Sequence, residues 1–248
     1  MKVLVLGGTG LVGRQVVDLL ESRGHEAVPA SPSTGVDAVT GAGLDEALAG
    51  VDAVVDVTNA PAWEQDAVVA FFTASTRNVL DAAKRAGAGH HVALSIVGVD
   101  RFPALGYMAG KIAQEKLIRD SGMPHTIMRA TQFFEFLTPI ADAGTTDGVA
   151  RLTHHLLQPV AAADVARAVA DAVLAPATDA VVEIAGPERA PLDELVARVL
   201  SARGDGRRVV ADPEADYFGL AVDDTSLVPL GPARIGDVTL AEWLARTA

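Results

Sequence analysis

The chain has 248 residues, half of them hydrophobic, with a formal net charge of −12 and no cysteine. This length and apolar share suit a globular protein with a sizeable core and exclude a disordered chain. The acidic balance argues against nucleic acid or an anionic membrane surface as a main partner, and the lack of cysteine excludes disulfides and thiolate metal sites.

Val3-Leu4-Val5-Leu6 is too short for a core helix and reads as a buried strand. Gly7-Gly8-Thr9-Gly10-Leu11-Val12-Gly13 follows directly, and Arg14 to Leu20 is apolar at helical spacing. Strand, glycine turn and helix in this order are the context of a dinucleotide site. Gly7 serves the tight turn, Gly10 lets the backbone approach a pyrophosphate, and Gly13 lets the helix pack closely on the strand. The helix N-terminus offers N–H groups and a partial positive charge to the phosphates. The spacing is G-x-x-G-x-x-G, not G-x-G-x-x-G, and a plain βα turn is the competing reading. The glycines cut the leading apolar run too short for a signal peptide, and no apolar stretch reaches transmembrane length. A soluble, cytoplasmic protein is expected.

Further along, Glu26-Ala27-Val28 predicts a second strand after a helix stopped at Gly24, and Val36 to Val39 a weak third. Asp52 to Val57 predicts a fourth strand, ending at Thr58-Asn59, and a helix spans roughly Glu64 to Ala86. His91 to Ser95 is a fifth strand, Tyr107 to Asp120 a helix and Thr126 to Met128 a sixth strand. This alternation implies an α/β fold with a doubly wound, parallel, Rossmann-type sheet. After residue 130 the regularity weakens. An aromatic segment (132–137), helices over Ala162–Leu174 and Leu192–Ala202, a strand at Val181–Ile184, a Gly-, Pro- and Asp-rich stretch (203–234) and a short helix over Val238–Ala245 follow. One domain over 1–248 is expected. Its nucleotide-binding core covers about 1–131, and about 132–248 holds interwoven core and a small C-terminal substrate lobe packed over the carboxyl ends of the strands.

Tyr107-Met108-Ala109-Gly110-Lys111 is a Y-x-x-x-K pattern that puts Tyr107 and Lys111 one helical turn apart on one face. A lysine ammonium beside a phenol favours the phenolate and lowers the tyrosine pKa. Such a tyrosine exchanges a proton with a substrate oxygen near neutral pH. Lys111 would also hold the cofactor ribose. A solvated helix face is the competing reading.

These motifs together resemble the short-chain dehydrogenase/reductase superfamily, in its atypical branch of NmrA-like NAD(P)-binding proteins. Gly7 to Gly13 match its glycine signature, which includes Thr9, Leu11 and Val12 and is followed by Arg14. Thr58 and Asn59 lie where the chain leaves the fourth strand beside the cofactor. Leu94-Ser95-Ile96-Val97-Gly98 resembles the family's fifth strand end, Tyr107 and Lys111 its catalytic pair, and Met128 to Phe133 its turn towards the substrate. The motifs cover roughly residues 1–135, and Gln158-Pro159-Val160 and Ala163 to Ala166 are similar to the family's return segment. The resemblance implies a bound dinucleotide, and a serine or threonine that hydrogen-bonds the reacting carbonyl. Ser95 is the nearby candidate, one or two places early. It either points into the site or caps the strand end; if it does not serve, a substrate hydroxyl, a backbone N–H or Asn59 takes its place.

An acid after the second strand would bind the ribose 2′-OH of NAD, and a base the 2′-phosphate of NADP. Ala30-Ser31-Pro32-Ser33-Thr34 has neither, and no Lys or Arg lies between Arg23 and Arg77. Ser31, Ser33 and Thr34 offer hydroxyls and Arg14 reaches round from the first helix, so NADP(H) is expected over NAD(H). A simple turn is the alternative. Trp63, Phe133 and Phe134 are candidates to wall an apolar substrate pocket, against a plain core role. His90-His91 and His154-His155 are adjacent pairs whose neighbours on a strand point to opposite faces, so no metal site is expected. The expected function is an NADP(H)-dependent oxidoreductase moving hydride to or from a carbonyl, enone or quinone of a small molecule, with Tyr107 exchanging the proton. A non-catalytic redox sensor of NmrA type and a redox-neutral isomerase, epimerase or cyclase are the alternatives. An exposed apolar helix face would support a homodimer.

Overall fold

In a computed structural model, which describes residues 1–102 and 106–247, the opening apolar run forms β1 (Lys2–Leu6). The glycine turn leads into α1 (Leu11–Ser22), whose buried Val12, Val16 and Leu20 recur one turn apart. β2 (Glu26–Ala30) returns parallel to β1, with Lys2 beside Glu26 and Leu6 beside Ala30. No strand forms at Val36–Val39. Gly35 sits at φ 86°, and the Asp37 carboxylate accepts the N–H groups of Val39 (2.8 Å) and Thr40 (3.3 Å). Side-chain turn chemistry outcompetes the β-branched pattern there.

The chain continues through α2 (Leu44–Ala47), β3 (Ala53–Asp56), α3 (Gln65–Ala86), β4 (His90–Ile96), α4 (Gly106–Asp120) and β5 (His125–Ala130). α5 (Leu137–Ala143), β6 (Thr145–Thr146), β7 (Val149–Leu152), β8 (Leu156–Leu157) and α6 (Ala162–Leu174) follow. The remainder is β9 (Ala180–Ala185), β10 (Ala190–Pro191), α7 (Leu192–Ala202), β11 (Arg208–Ala211), β12 (Arg234–Ile235) and α8 (Leu240–Thr247).

Seven strands form a parallel sheet in the order β12-β9-β5-β4-β3-β1-β2. β3 is fully buried, as expected of a parallel strand covered on both faces. β1 lies between β2 and β3, so the winding reverses there. The carboxyl ends of β1 and β3 flank the crevice where open α/β sheets take their ligands.

By contact density the chain divides into two units, Met1–Arg129 with Val165–Val182, and Ala130–Asp164 with Glu183 onward. In the first, Leu4, Leu6, Val54, Val79, Leu80 and Ile127 share one buried cluster. The second contains the small sheet β11-β7-β6 and the pair β10-β8. β11 runs parallel to β7 inside the Gly-, Pro- and Asp-rich stretch over 203–234. A Cβ on Gly186 would lie 1.8 Å from the Pro159 carbonyl oxygen, so only glycine fits that close approach. No helix among the described residues is long and apolar enough to cross a membrane.

Candidate active site

Gly7 follows β1 at φ 78°, a backbone region that favours glycine, and a Cβ there would lie 2.8 Å from the Val57 carbonyl oxygen. The loops after β1 and β3 are therefore packed backbone to backbone. A Cβ on Gly13 would lie only 2.1 Å from the Gly7 oxygen, so α1 sits directly on the turn. Gly8, outside the G-x-x-G-x-x-G spacing, is equally constrained: its Cβ would meet the Val5 oxygen at 2.7 Å and Pro29 Cα at 2.8 Å.

Gly10 is different. It is exposed, and its Cβ would meet only the Gly7 oxygen, at 3.2 Å. It is the N-cap of α1 with no side-chain cap bond, and the first turn carries no acid. The first N–H groups of α1 thus have no side-chain acceptor from the cap, and Thr9, Leu11 and Arg14 around them are exposed while Val12 is buried. A cradle that a Cβ would begin to fill, at a helix N-terminus without acid, fits the pyrophosphate of a dinucleotide.

At the end of β2 the Ser31 and Ser33 hydroxyls lie 2.8 Å apart. Thr34 Oγ1 accepts the Ser31 N–H (2.9 Å) and donates to the Ser31 carbonyl (3.0 Å), so it is engaged in the turn itself. Ser33 is exposed.

β3 ends on Asp56, whose side chain is buried. Its Oδ1 accepts the Thr58 N–H (3.0 Å) and the Thr58 hydroxyl (2.6 Å), and its Oδ2 accepts Gln114 Nε2 (3.0 Å). Asn59, the next residue, is exposed, and its Oδ1 accepts the Tyr107 hydroxyl at 2.5 Å. Tyr107 stands in the first turn of α4. Its ring meets Phe72 edge-on, with centroids 5.8 Å apart, and lies 5.5 Å from Trp63. Gly110 makes this placement possible: a Cβ there would meet Val68 Cγ1 at 2.5 Å and Phe72 Cδ2 at 2.8 Å, so α4 can rest on α3 only without a side chain. The sequence contained that signal, a glycine inside the Y-x-x-x-K helix.

Lys111 departs from the expected arrangement. It is only 3% exposed, and its Nζ donates to the Leu94 carbonyl (2.6 Å) and to Gln114 Oε1, 4.4 Å from the Phe72 ring centroid. Burial lowers the Lys111 pKa to about 8, against the pull of Asp56 and Glu115. The Tyr107 phenol is correspondingly not depressed. Burial pushes its pKa up, a backbone hydrogen bond at Ala60 opposes this, and the Asp56 charge adds to the rise.

Ser95 is 4% exposed and donates a 2.6 Å hydrogen bond to Glu115 Oε1. Glu115 also accepts from Arg129 Nε (2.9 Å) and Nη2 (2.8 Å) and from Arg119 (3.0 Å), and Arg129 Nη1 reaches Asp100 at 2.8 Å. Burial alone would raise the Glu115 carboxyl, but the bonds from Arg129 and Ser95 outweigh it and hold the pKa below its ordinary value. The Ser95 hydroxyl is thus committed in the interior to Glu115, which is neither of the two roles expected of it. Its partner lies two turns of α4 beyond Tyr107, about 12 Å of helical rise away.

Trp63 is 67% exposed beside Tyr107. In the second unit, Phe133 is half-buried and pairs with Phe136, with centroids 5.6 Å apart. Phe134 does not wall a pocket: it is 1% exposed and packs against Trp243, because the turn over residues 134–136 directs it into that unit's core. Among the described residues no group of three or more His, Asp or Glu is placed to hold a metal ion.

A doubly wound parallel sheet with a glycine turn at its switch point, and a tyrosine set against the end of β3, defines a dinucleotide-binding protein with the atypical short-chain dehydrogenase/reductase fold. Residues 7–176 match the model of the NAD(P)H-binding family, and the chain belongs to that family. It is similar to the (4-alkanoyl-5-oxo-2,5-dihydrofuran-3-yl)methyl phosphate reductase of Streptomyces griseus subsp. griseus, at 35% identity over 162 residues. That match covers 60% of this chain and 54% of the relative, about half its length. A short-chain dehydrogenase/reductase superfamily protein of Agrobacterium tumefaciens with bound NAD shares the fold at a TM-score of 0.73 and 19% identity, over 99% of this chain and 95% of that one. The NADPH-dependent quinone oxidoreductase QOR2 of Escherichia coli, complexed with NADPH, does so at 0.68 and 24% identity, over 85% and 77%.

Proposed function

We propose that this chain is an NADPH-dependent reductase acting on a carbonyl, enone or quinone group of a small organic molecule. The cofactor, when bound, supplies the hydride, and the protein supplies position and a proton. The turn from Gly7 to Gly13 and the first N–H groups of α1 hold the pyrophosphate, with Thr9, Leu11 and Val12 along it. Arg14, Ser31 and Ser33 take the 2′-phosphate, beside the segment Ala30 to Thr34, which carries no acid. Thr58 and Asn59 border the cofactor at the end of β3, Lys111 braces the helix that carries Tyr107, and Trp63, beside Tyr107, contacts substrate.

The observation that carries this reading is the 2.5 Å hydrogen bond from Tyr107 to Asn59 at the carboxyl end of β3. It holds a phenol at the crevice where such sheets bind their ligands. Burial and the Asp56 charge raise the phenol pKa, so Tyr107 keeps its proton at neutral pH until a carbonyl oxygen turning into an alkoxide draws it off. The naming of the Streptomyces relative as a reductase supports the same direction. A second reading, dinucleotide binding without turnover, is favoured by the commitment of the Ser95 hydroxyl to Glu115, which removes the family's usual partner of the reacting oxygen.

Calorimetric titration with NADPH and, separately, NADH tests the site, followed by absorbance assays over a panel of quinones, enones and simple carbonyls. Tighter NADPH binding and substrate-dependent NADPH oxidation are expected. Tight binding with no oxidation across the panel selects the second reading, and binding of neither dinucleotide sinks both.

A further inference from the structure

Asp56 is a carboxylate in the last position of a strand whose neighbours in register are Leu6 and Ala93. It is 1% exposed. A buried carboxylate is costly unless its lone pairs are met, and an apolar residue would serve the sheet better. Its contacts form a ring that begins and ends on α4. Gln114 donates to Oδ2; Thr58 donates twice to Oδ1; Asn59 follows Thr58 in the chain; and Tyr107, two turns before Gln114 on the same helix, donates to Asn59. The two bonds from Thr58 make Asp56 the acceptor of a side-chain-stabilised turn, which fixes the backbone leaving β3. The amide of Gln114 has its own constraint. Its Oε1 accepts from Lys111, so its Nε2 is the group turned to Asp56. Lys111 is in turn anchored on the Leu94 carbonyl of β4.

We propose that Asp56 is a positioning residue, held by Gln114, which fixes the Thr58–Asn59 turn and so presents Asn59 Oδ1 to the Tyr107 hydroxyl. Its effect on turnover rests on the reading of Tyr107 as proton donor; its effect on geometry does not. Lys111 then acts through the same ring, setting the orientation of Gln114, one turn of helix away from the phenol it was expected to flank.

The test uses the full chain with tyrosine labelled at 13Cζ, in a Tyr217→Phe background. The chain has two tyrosines, so the single remaining resonance is that of Tyr107. Its shift reports the phenol hydrogen bond without any turnover. Asp56→Asn, and the milder Thr58→Val should Asp56→Asn fold poorly, are expected to move this resonance in the direction produced by Asn59→Ala. An unmoved resonance in a folded variant overturns the proposal. In the turnover assay Asp56→Asn should lower kcat about tenfold. Dinucleotide Kd should weaken less than kcat falls, because the Thr58–Asn59 turn only borders the cofactor while the turn from Gly7 to Gly13 holds the pyrophosphate. Combined with Asn59→Ala, Asp56→Asn should add no further loss, since both act on one bond. Losses that multiply in the double variant also overturn it. A wild type that turns over nothing on the panel overturns the reductase reading alone, and the resonance still decides the positioning role.

Discussion

The Tyr107 hydroxyl and Asn59 Oδ1 meet at 2.5 Å across 48 residues of sequence. Tyr107 is fixed by ring contacts with Phe72 and Trp63, and Asn59 by the turn at the end of β3. Replacing Tyr107 with Phe keeps the ring and removes only the proton and its bond. A general acid contributes roughly 10²- to 10⁴-fold to rate. Tyr107→Phe should therefore lower kcat by at least about a hundredfold while NADPH affinity, read by calorimetry, changes less than about threefold. A variant of undiminished rate would assign the proton to another group.

Gly10 and Gly13 should separate binding from stability. A side chain on Gly13 collides with the Gly7 carbonyl at 2.1 Å, and a backbone carbonyl cannot swing aside. Gly13→Ala should cost at least about 1–3 kcal/mol in urea unfolding, the range for overpacked sites. Gly10→Val meets only the Gly7 oxygen at 3.2 Å. It should cost about 1 kcal/mol, mostly through a poorer helix cap, yet lose dinucleotide affinity more than tenfold. If Gly10→Val binds NADPH like wild type, the pyrophosphate does not lie over this turn.

The parts of this molecule written in local pattern were legible in its sequence. β1, the glycine turn and α1 follow from an apolar run, glycine spacing and helical period. The α6 helix, Ala162–Leu174, and the α7 helix, Leu192–Ala202, run between the residues that periodicity predicts. The strands β6, β7, β8, β11 and β12 did not show, because two- and four-residue strands carry too little period and, apart from the β6–β7 hairpin, pair with partners distant in sequence. In the site, the position of Tyr107 was readable from the Y-x-x-x-K spacing and that of Asn59 from the family resemblance. The directions of Lys111 and Ser95 were not. Helical spacing fixes where a Cα lies, but a long lysine takes its partner from β4, 17 residues back, and Ser95 from Glu115, 20 residues on.

The Ser95–Glu115–Arg129–Asp100 chain should behave as scaffold. Ser95→Ala removes one hydrogen bond to a buried carboxylate, a loss of about 1–3 kcal/mol for a charged acceptor. kcat should stay within about twofold. Glu115→Gln takes the charge from between Arg129 and Arg119 and should cost more, about 3–5 kcal/mol, as for breaking a buried ion pair. A Ser95→Ala variant with wild-type urea midpoint and a hundredfold lower kcat would instead place Ser95 at the reacting oxygen.

Stability should fall in mild acid because of His91. Its ring is fully buried, and among the described residues neither ring nitrogen finds a hydrogen-bond partner. Burial lowers its pKa to about 4; the Asp56 charge opposes this, and His90 and His125 add to the lowering. The unfolded chain titrates this histidine near its ordinary value of about 6.5. Between about pH 6.5 and 4 the unfolded state therefore binds the proton that the native state refuses, and unfolding free energy drops by up to about 1.4 kcal/mol per pH unit. Glu115 and Asp100, whose pKa values are lowered in the fold, also lose stability as acid protonates them, but they do so equally in a His91 variant. His91→Leu should thus match the wild-type slope above about pH 6.5 and fall less steeply below it, in urea titrations at half-unit intervals. Parallel curves down to pH 4 would mean that the folded protein takes up the proton at His91 as readily as the unfolded chain.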